Sequence, residues 1–141
     1  MPFPMGVPLV PHITFVNIYR PPQSILEVLY SELSDLLNVL PSSAILLGDV
    51  NCPGSSPSSV DARLDTTLSI YNMSVVDTGP TRLNPSNGSA SRLDIIAESD
   101  NIWRLHDLST VQIGYSDHQL IRTCLRCALP PPSTVTFCYR N

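Results

Sequence analysis

The chain has 141 residues and a mass of 15.4 kDa, enough for one domain of ordinary size. Hydrophobic residues make up 43% and charged residues only 14%, against about 25% charged in an average soluble domain, and the formal net charge is −4. All 8 basic side chains are arginine, which excludes a Walker-type phosphate loop and a lysine Schiff base, and high apolar content with low net charge excludes a disordered chain.

The N-terminus, Met1 to Pro8, has no basic segment and is broken by prolines, which makes it a poor signal peptide. No apolar run reaches the roughly 18 residues that a membrane span needs. His12 to Tyr19 is β-branched and aromatic and predicts a largely buried strand, stopped by Arg20-Pro21-Pro22. Ser24, three residues before Glu27, has the spacing of a capping box, and leucines at helical intervals predict a long amphipathic helix to about Val39. Ala44 to Leu47 is wholly apolar, as in a strand buried on both faces, and leads into Gly48-Asp49-Val50-Asn51. Cys52 to Ser59 is a loop by composition, and Asp61 to about Asn72 predicts a shorter helix. Brief strands are expected at Ser74–Asp77, Arg92–Ala97, His106–Ile113, Gln119–Leu125 and Thr134–Tyr139, with a polar loop over Thr81–Ser91 and a proline-rich edge at Pro130–Pro132. Strands interleaved with two helices predict a mixed α and β layered domain.

Polar clusters at strand ends are candidates for chemistry, because such groups are held rigidly yet stay open to a ligand. In an extended segment Asp49 and Asn51 point to the same side, one able to orient a water and the other to donate to a phosphoryl oxygen. The same residues also suit a strand-to-turn exit in which Asp and Asn cap a loop. Contiguous Ser116, Asp117 and His118 cannot form a serine-hydrolase relay, because the imidazole could not touch both neighbours in the required order. Aspartate beside histidine suits a metal-supported phosphate site, with Asp94 available to hold the imidazole in one tautomer. Cys124 and Cys127, with His118 and Cys138, could supply four zinc ligands. Cys124 falls in an apparent strand with no glycine for a knuckle turn, which favours free thiols for all four cysteines, Cys52 included. Residues 1–80 hold two arginines against seven acids and residues 81–141 six against five, an acidic first part and a mildly basic second. That division suits a metal centre beside a phosphate-contacting surface.

Five segments, in this order, carry a resemblance: Val16-Asn17-Ile18-Tyr19-Arg20-Pro21-Pro22, Leu47-Gly48-Asp49-Val50-Asn51, Pro80-Thr81-Arg82, Ser91-Arg92-Leu93-Asp94-Ile95-Ile96 and Ser116-Asp117-His118. Together they resemble the endonuclease/exonuclease/phosphatase superfamily, and within it the endonuclease domain of non-LTR (LINE-type) retrotransposon polyproteins. The resemblance implies an α+β fold, a four-layer α/β/β/α sandwich of the deoxyribonuclease I type. It implies metal-dependent phosphodiester hydrolysis, with Mg²⁺ or Mn²⁺ as cofactor, DNA as substrate and a reverse transcriptase domain as partner, in an intracellular, nuclear setting.

Carried over residue by residue, the resemblance gives Asp49 the attacking water and Asn51 its positioning. Tyr19 would contact the scissile phosphate and Asp117 would bind or support the metal. His118 would stabilise phosphate charge, oriented by Asp94, and Arg82 and Arg92 would contact nucleic acid. Members of that family carry an asparagine and a metal-binding glutamate ahead of the tyrosine strand, whereas no acid precedes Asn17 here. The expectation is therefore a C-terminal portion of the domain over residues 1–129, with 130–141 as an exit segment. The alternative is a catalytically dead remnant kept, at most, as a nucleic-acid-binding or interaction module. Runs selected for burial in a larger sandwich predict an exposed apolar face.

Overall fold

The structure, a computed structural model, describes residues 12–100 and 105–126. Ten elements follow one another along the chain: β1 (Thr14–Tyr19), α1 (Leu26–Val39), β2 (Ala44–Asp49), α2 (Ala62–Ile70), β3 (Met73–Val75), β4 (Arg82–Leu83), β5 (Ala90–Ser91), β6 (Asp94–Ser99), β7 (Leu105–Gln112) and β8 (Gln119–Leu125). Four strands form the central sheet in the order β1-β2-β6-β3, with β1 parallel to β2 and the remaining pairs antiparallel. This is an α+β fold, and the described residues build three of its layers.

Alternation along the central strands assigns the layers. Leu46, Ile95 and Ala97 point to one face, where they meet Tyr30, Leu33 and Leu37 of α1 and Leu64 and Leu68 of α2. Ile45 and Ile96 point to the other, beneath Leu105, Leu108, Ile121 and Leu125 of the β7–β8 ribbon. Burying each such leucine or isoleucine contributes roughly 1.5–3 kcal/mol, so β2, whose Ala44–Leu47 run is wholly apolar and covered on both faces, anchors the sheet. The two helices are tied by one carboxylate. Asp61 caps α2, accepting from the backbone N–H groups of Arg63 and Leu64, and also accepts the Tyr30 hydroxyl at 2.6 Å. Burial and this bond push the Tyr30 phenol well above its usual range.

Three local expectations need correction. Ser24 does not cap α1: its hydroxyl donates to the Pro21 carbonyl, and Ile25 occupies the cap position without a side-chain bond. The chain is still turning out of Arg20-Pro21-Pro22 there, so the serine closes that turn instead. β1 is not largely buried but alternates, with Phe15 58% and Tyr19 69% exposed. It is one of the two edge strands of the sheet among the described residues, and only its Val16 and Ile18 side packs on the helices. The strand expected from Arg92 begins at Asp94, because Leu93 and Asp94 first turn their N–H groups onto Thr81. The strand expected at Thr134–Tyr139 and the segment 130–141 lie outside the described residues.

Candidate active site

Strand register brings the expected residues together. Tyr19 pairs with Asp49 across β1 and β2, and Asp49 pairs with Asp94 across β2 and β6. Three residues remote in sequence thus occupy one rung at the end of the sheet. Paired residues share a face, which here is the one carrying Ile45 and Ile96. The β7–β8 ribbon covers that face, and the start of β8 brings in His118.

A small ladder fixes this approach. β4 pairs with β5 and also bridges to β8 through Arg82 and His118. The Leu83 N–H donates to the Asp117 carbonyl at 2.8 Å and the Gln119 N–H to the Thr81 carbonyl at 2.7 Å. The His118 imidazole then lies with Nδ1 2.9 Å from Asp94 Oδ2. Donor atoms of Asp49, Asp94 and His118 all lie within 4.8 Å of one another, each residue being half-buried. Burial above all, and then the neighbouring Asp94 charge, pushes the Asp49 carboxyl up from its ordinary range.

The serine and aspartate preceding His118 have other partners. Ser116 Oγ accepts the His118 backbone N–H at 3.1 Å, and the Asp117 carboxylate is ion-paired with Arg82 at 2.7 Å. That bond holds the Asp117 carboxyl below the usual range. Asp117 is not part of the three-residue cluster. Arg82 is partly exposed at the rim of the site, whereas Arg92 is 5% exposed, donates to the carbonyls of Ser58 and Val76, and spends its charge inside the fold.

Asn51 departs from the extended geometry expected of it. β2 ends at Asp49, and Asn51 takes a left-handed φ of 48°. Its backbone N–H donates to Asp49 Oδ1 at 3.1 Å and its carboxamide to the Arg20 carbonyl at 2.7 Å. Side chains two apart share a side only while the strand continues. The loop-capping behaviour of Asp and Asn is therefore realised, with both residues held at the rim.

Two supporting residues escape a reading of local patterns. Arg20 is 7% exposed and donates to the carbonyls of Asn51 (3.0 Å) and Ser24, clasping the turn that Asn51 reciprocates. Thr81 is fully buried, and its hydroxyl accepts the N–H groups of Leu93 and Asp94 at 3.0 Å each. With its carbonyl on Gln119, Thr81 locks the Asp94 strand to the His118 strand. Their local signals were a strand-ending arginine before prolines and a threonine inside a polar loop, and each falls within a segment that carries the family resemblance. Thr81→Val keeps the shape but strands two donors, so it should lower stability by about 1–3 kcal/mol in chemical denaturation. A cost within a few tenths of wild type would show that the hydroxyl holds nothing.

No curated protein sequence matches the chain significantly. Among solved structures, the endonuclease domain of TRAS1, a telomere-specific non-LTR retrotransposon, superposes with a TM-score of 0.68 at 21% identity, covering 81% of this chain and 57% of that one. The 3′ phosphatase NExo from Neisseria, bound to product DNA hairpin, superposes with a TM-score of 0.54 at 16% identity, covering 71% of this chain and 51% of that one. The chain thus spans little more than half the length of either, and shares the fold with both. The sequence profile of the endonuclease-reverse transcriptase family matches residues 13–122. That match runs from the edge strand into the last strand and takes in Tyr19, Asp49, Asp94 and His118, so the chain belongs to the endonuclease-reverse transcriptase family.

Proposed function

We propose that this domain hydrolyses phosphodiester bonds and nicks DNA, as the endonuclease part of a retrotransposon protein that also carries a reverse transcriptase. The convergence of Asp49, Asp94 and His118 from three separate segments carries this reading. Asp49 is placed to accept a proton from a water that attacks phosphorus in line. The new P–O bond forms as the bond to the departing sugar oxygen breaks, and that oxygen takes its proton from solvent at this open rim. Asp94 accepts from His118 Nδ1, which fixes the tautomer and leaves Nε2 for a phosphoryl oxygen. Asn51 uses one amide N–H on Arg20 and has a second for the phosphate. Tyr19, 69% exposed in the same rung, reaches the substrate side, and Arg82 contacts the nucleic-acid backbone.

The donor set fits a hard divalent cation. Two half-buried carboxylates face each other, each using one oxygen on a protein partner, and Mg²⁺ takes one or two such groups along with waters and substrate phosphates. Asp94 would hold Mg²⁺ or Mn²⁺ through its free oxygen, with Asp117 in support, while the free oxygen of Asp49 is kept for the water; bound there, the ion would polarise the phosphoryl oxygens and assist the leaving group. No helix among the described residues is long and apolar enough to cross a membrane.

A double-mutant cycle on cleavage of an end-labelled DNA duplex in Mg²⁺ tests the reading. Asp94→Asn and His118→Gln should each lower the rate by about 10²-fold or more, and the double variant should be little worse than the poorer single one. Strictly multiplicative losses would show that the pair does not act as a unit. DNA binding with no cleavage in any form would leave a nucleic-acid-binding module in place of an enzyme.

A further inference from the structure

The outward face of the β7–β8 ribbon carries a second, chemically different set of donors. Leu105 pairs with Leu125 and both pack on the central sheet, so the next pair, His106 with Cys124, points the opposite way. Between His106 and Ser109 the ladder slips, forming a bulge, and within it Asp107 adopts a left-handed φ of 53°. A bulge places two successive residues against one partner, and here it turns the Asp107 carboxylate back toward its neighbour. Asp107 Oδ2 lies 3.5 Å from His106 Nε2. Ligand atoms of His106, Asp107 and Cys124 all lie within 4.8 Å of one another. The Thr123 hydroxyl donates to the His106 carbonyl at 3.0 Å and steadies the backbone beneath them.

We propose that His106, Asp107 and Cys124 form a second metal site, selective for a zinc-type ion and separate from the Asp49–Asp94–His118 cluster. The chemistry of the donors sets the selectivity. A thiolate with an imidazole suits Zn²⁺ or Co²⁺ and is a poor match for Mg²⁺, which prefers oxygen alone. Geometry agrees: nitrogen and oxygen ligands about 2.0–2.1 Å from a tetrahedral Zn²⁺ stand about 3.3–3.4 Å apart, near the observed 3.5 Å. Three protein ligands leave a fourth position for water. Binding converts the Cys124 thiol to a thiolate and releases its proton, and the thiolate and carboxylate together neutralise the ion's charge. The bound ion would cross-link the two ribbon strands at their bulge. The zinc ligands suggested by the cysteine spacing change accordingly: Cys124 is joined by His106 and not by His118, which belongs to Asp94.

The test is a Co²⁺ titration of the full reduced chain in excess Mg²⁺, which occupies oxygen-donor sites. A thiolate-to-cobalt charge-transfer band should rise in the near ultraviolet and saturate at one equivalent. Cys124→Ser should abolish the band. His106→Gln and Asp107→Asn should weaken binding by on the order of 10–100-fold or more, with far-ultraviolet circular dichroism unchanged. Asparagine tolerates the left-handed conformation, so Asp107→Asn removes the ligand charge without straining the bulge. Cys127→Ser and Cys138→Ser should leave the band in place. Absence of a stoichiometric band in the wild-type chain overturns the proposal. So does a band that survives His106→Gln and Asp107→Asn but is lost with Cys127 or Cys138.

Discussion

Gly48→Ala is expected to destabilise the protein by about 3 kcal/mol or more, a large share of a total stability of about 5–15 kcal/mol. Gly48 sits inside β2 with φ +143°, a conformation that side chains rarely adopt. A Cβ built there overlaps the Ile18 carbonyl oxygen and stands 2.8 Å from its carbonyl carbon. The obstacle is backbone, so no rotamer change relieves it, and β1 must move away from β2. The next register pair is Tyr19 with Asp49, which means that the site opens with the sheet. Chemical denaturation should show the lower midpoint, and DNA cleavage should fall along with it. A variant within 1 kcal/mol of wild type would mean that β1 is not seated on β2 in this register.

Asp49→Asn is expected to move stability and activity in opposite directions. Loss of the group proposed to accept the water proton should lower the cleavage rate by about 10²–10⁴-fold. Stability should rise at neutral pH. Burial, reinforced by the Asp94 charge, raises the carboxyl of Asp49 in the folded state, which therefore holds its proton more tightly than the unfolded chain does. As pH climbs through the window between the unfolded and the raised folded value, the folded state loses stability relative to the unfolded one. Above that window the ionised carboxylate is a standing cost, which asparagine does not carry. Thermal melts in metal-free buffer should therefore show a higher Tm for Asp49→Asn at pH 7, and the gain should vanish near pH 3, where the wild-type carboxyl holds its proton in the folded and the unfolded state alike. A lower Tm for Asp49→Asn at neutral pH would contradict this electrostatic account.

What the sequence discloses and what it hides divide along a physical line. The helical spacing of α1 and α2 and the unbroken apolar run of Ala44–Leu47 in β2 are local signals, and each element forms where they place it. Asp49, Asp94 and His118 were legible one by one, because each ends or interrupts an apolar run. Their meeting depends on strand register, which local patterns do not contain, and it was legible only through the resemblance of five ordered segments to one family. The misreading of β1 has the same origin: it resembles a buried strand until the sheet shows it at an edge, while Arg92, set against nucleic acid by the resemblance, lies beneath Ser58 and Val76. Thr81 and Arg20 act through partners that only the fold supplies. The apolar excess is visible in part at Phe15, which stands exposed on the same face of β1 as Tyr19.

Nicking of supercoiled plasmid by the purified chain, in Mg²⁺ and in chelator, tests the central claim most directly when wild type and Asp49→Asn are assayed side by side. The account predicts that wild type converts plasmid to open circles in Mg²⁺ only, and that the Asp49→Asn chain, folded and at least as stable, does so on the order of 10²-fold more slowly or worse. Equal nicking by the two chains, or none by either, would contradict it.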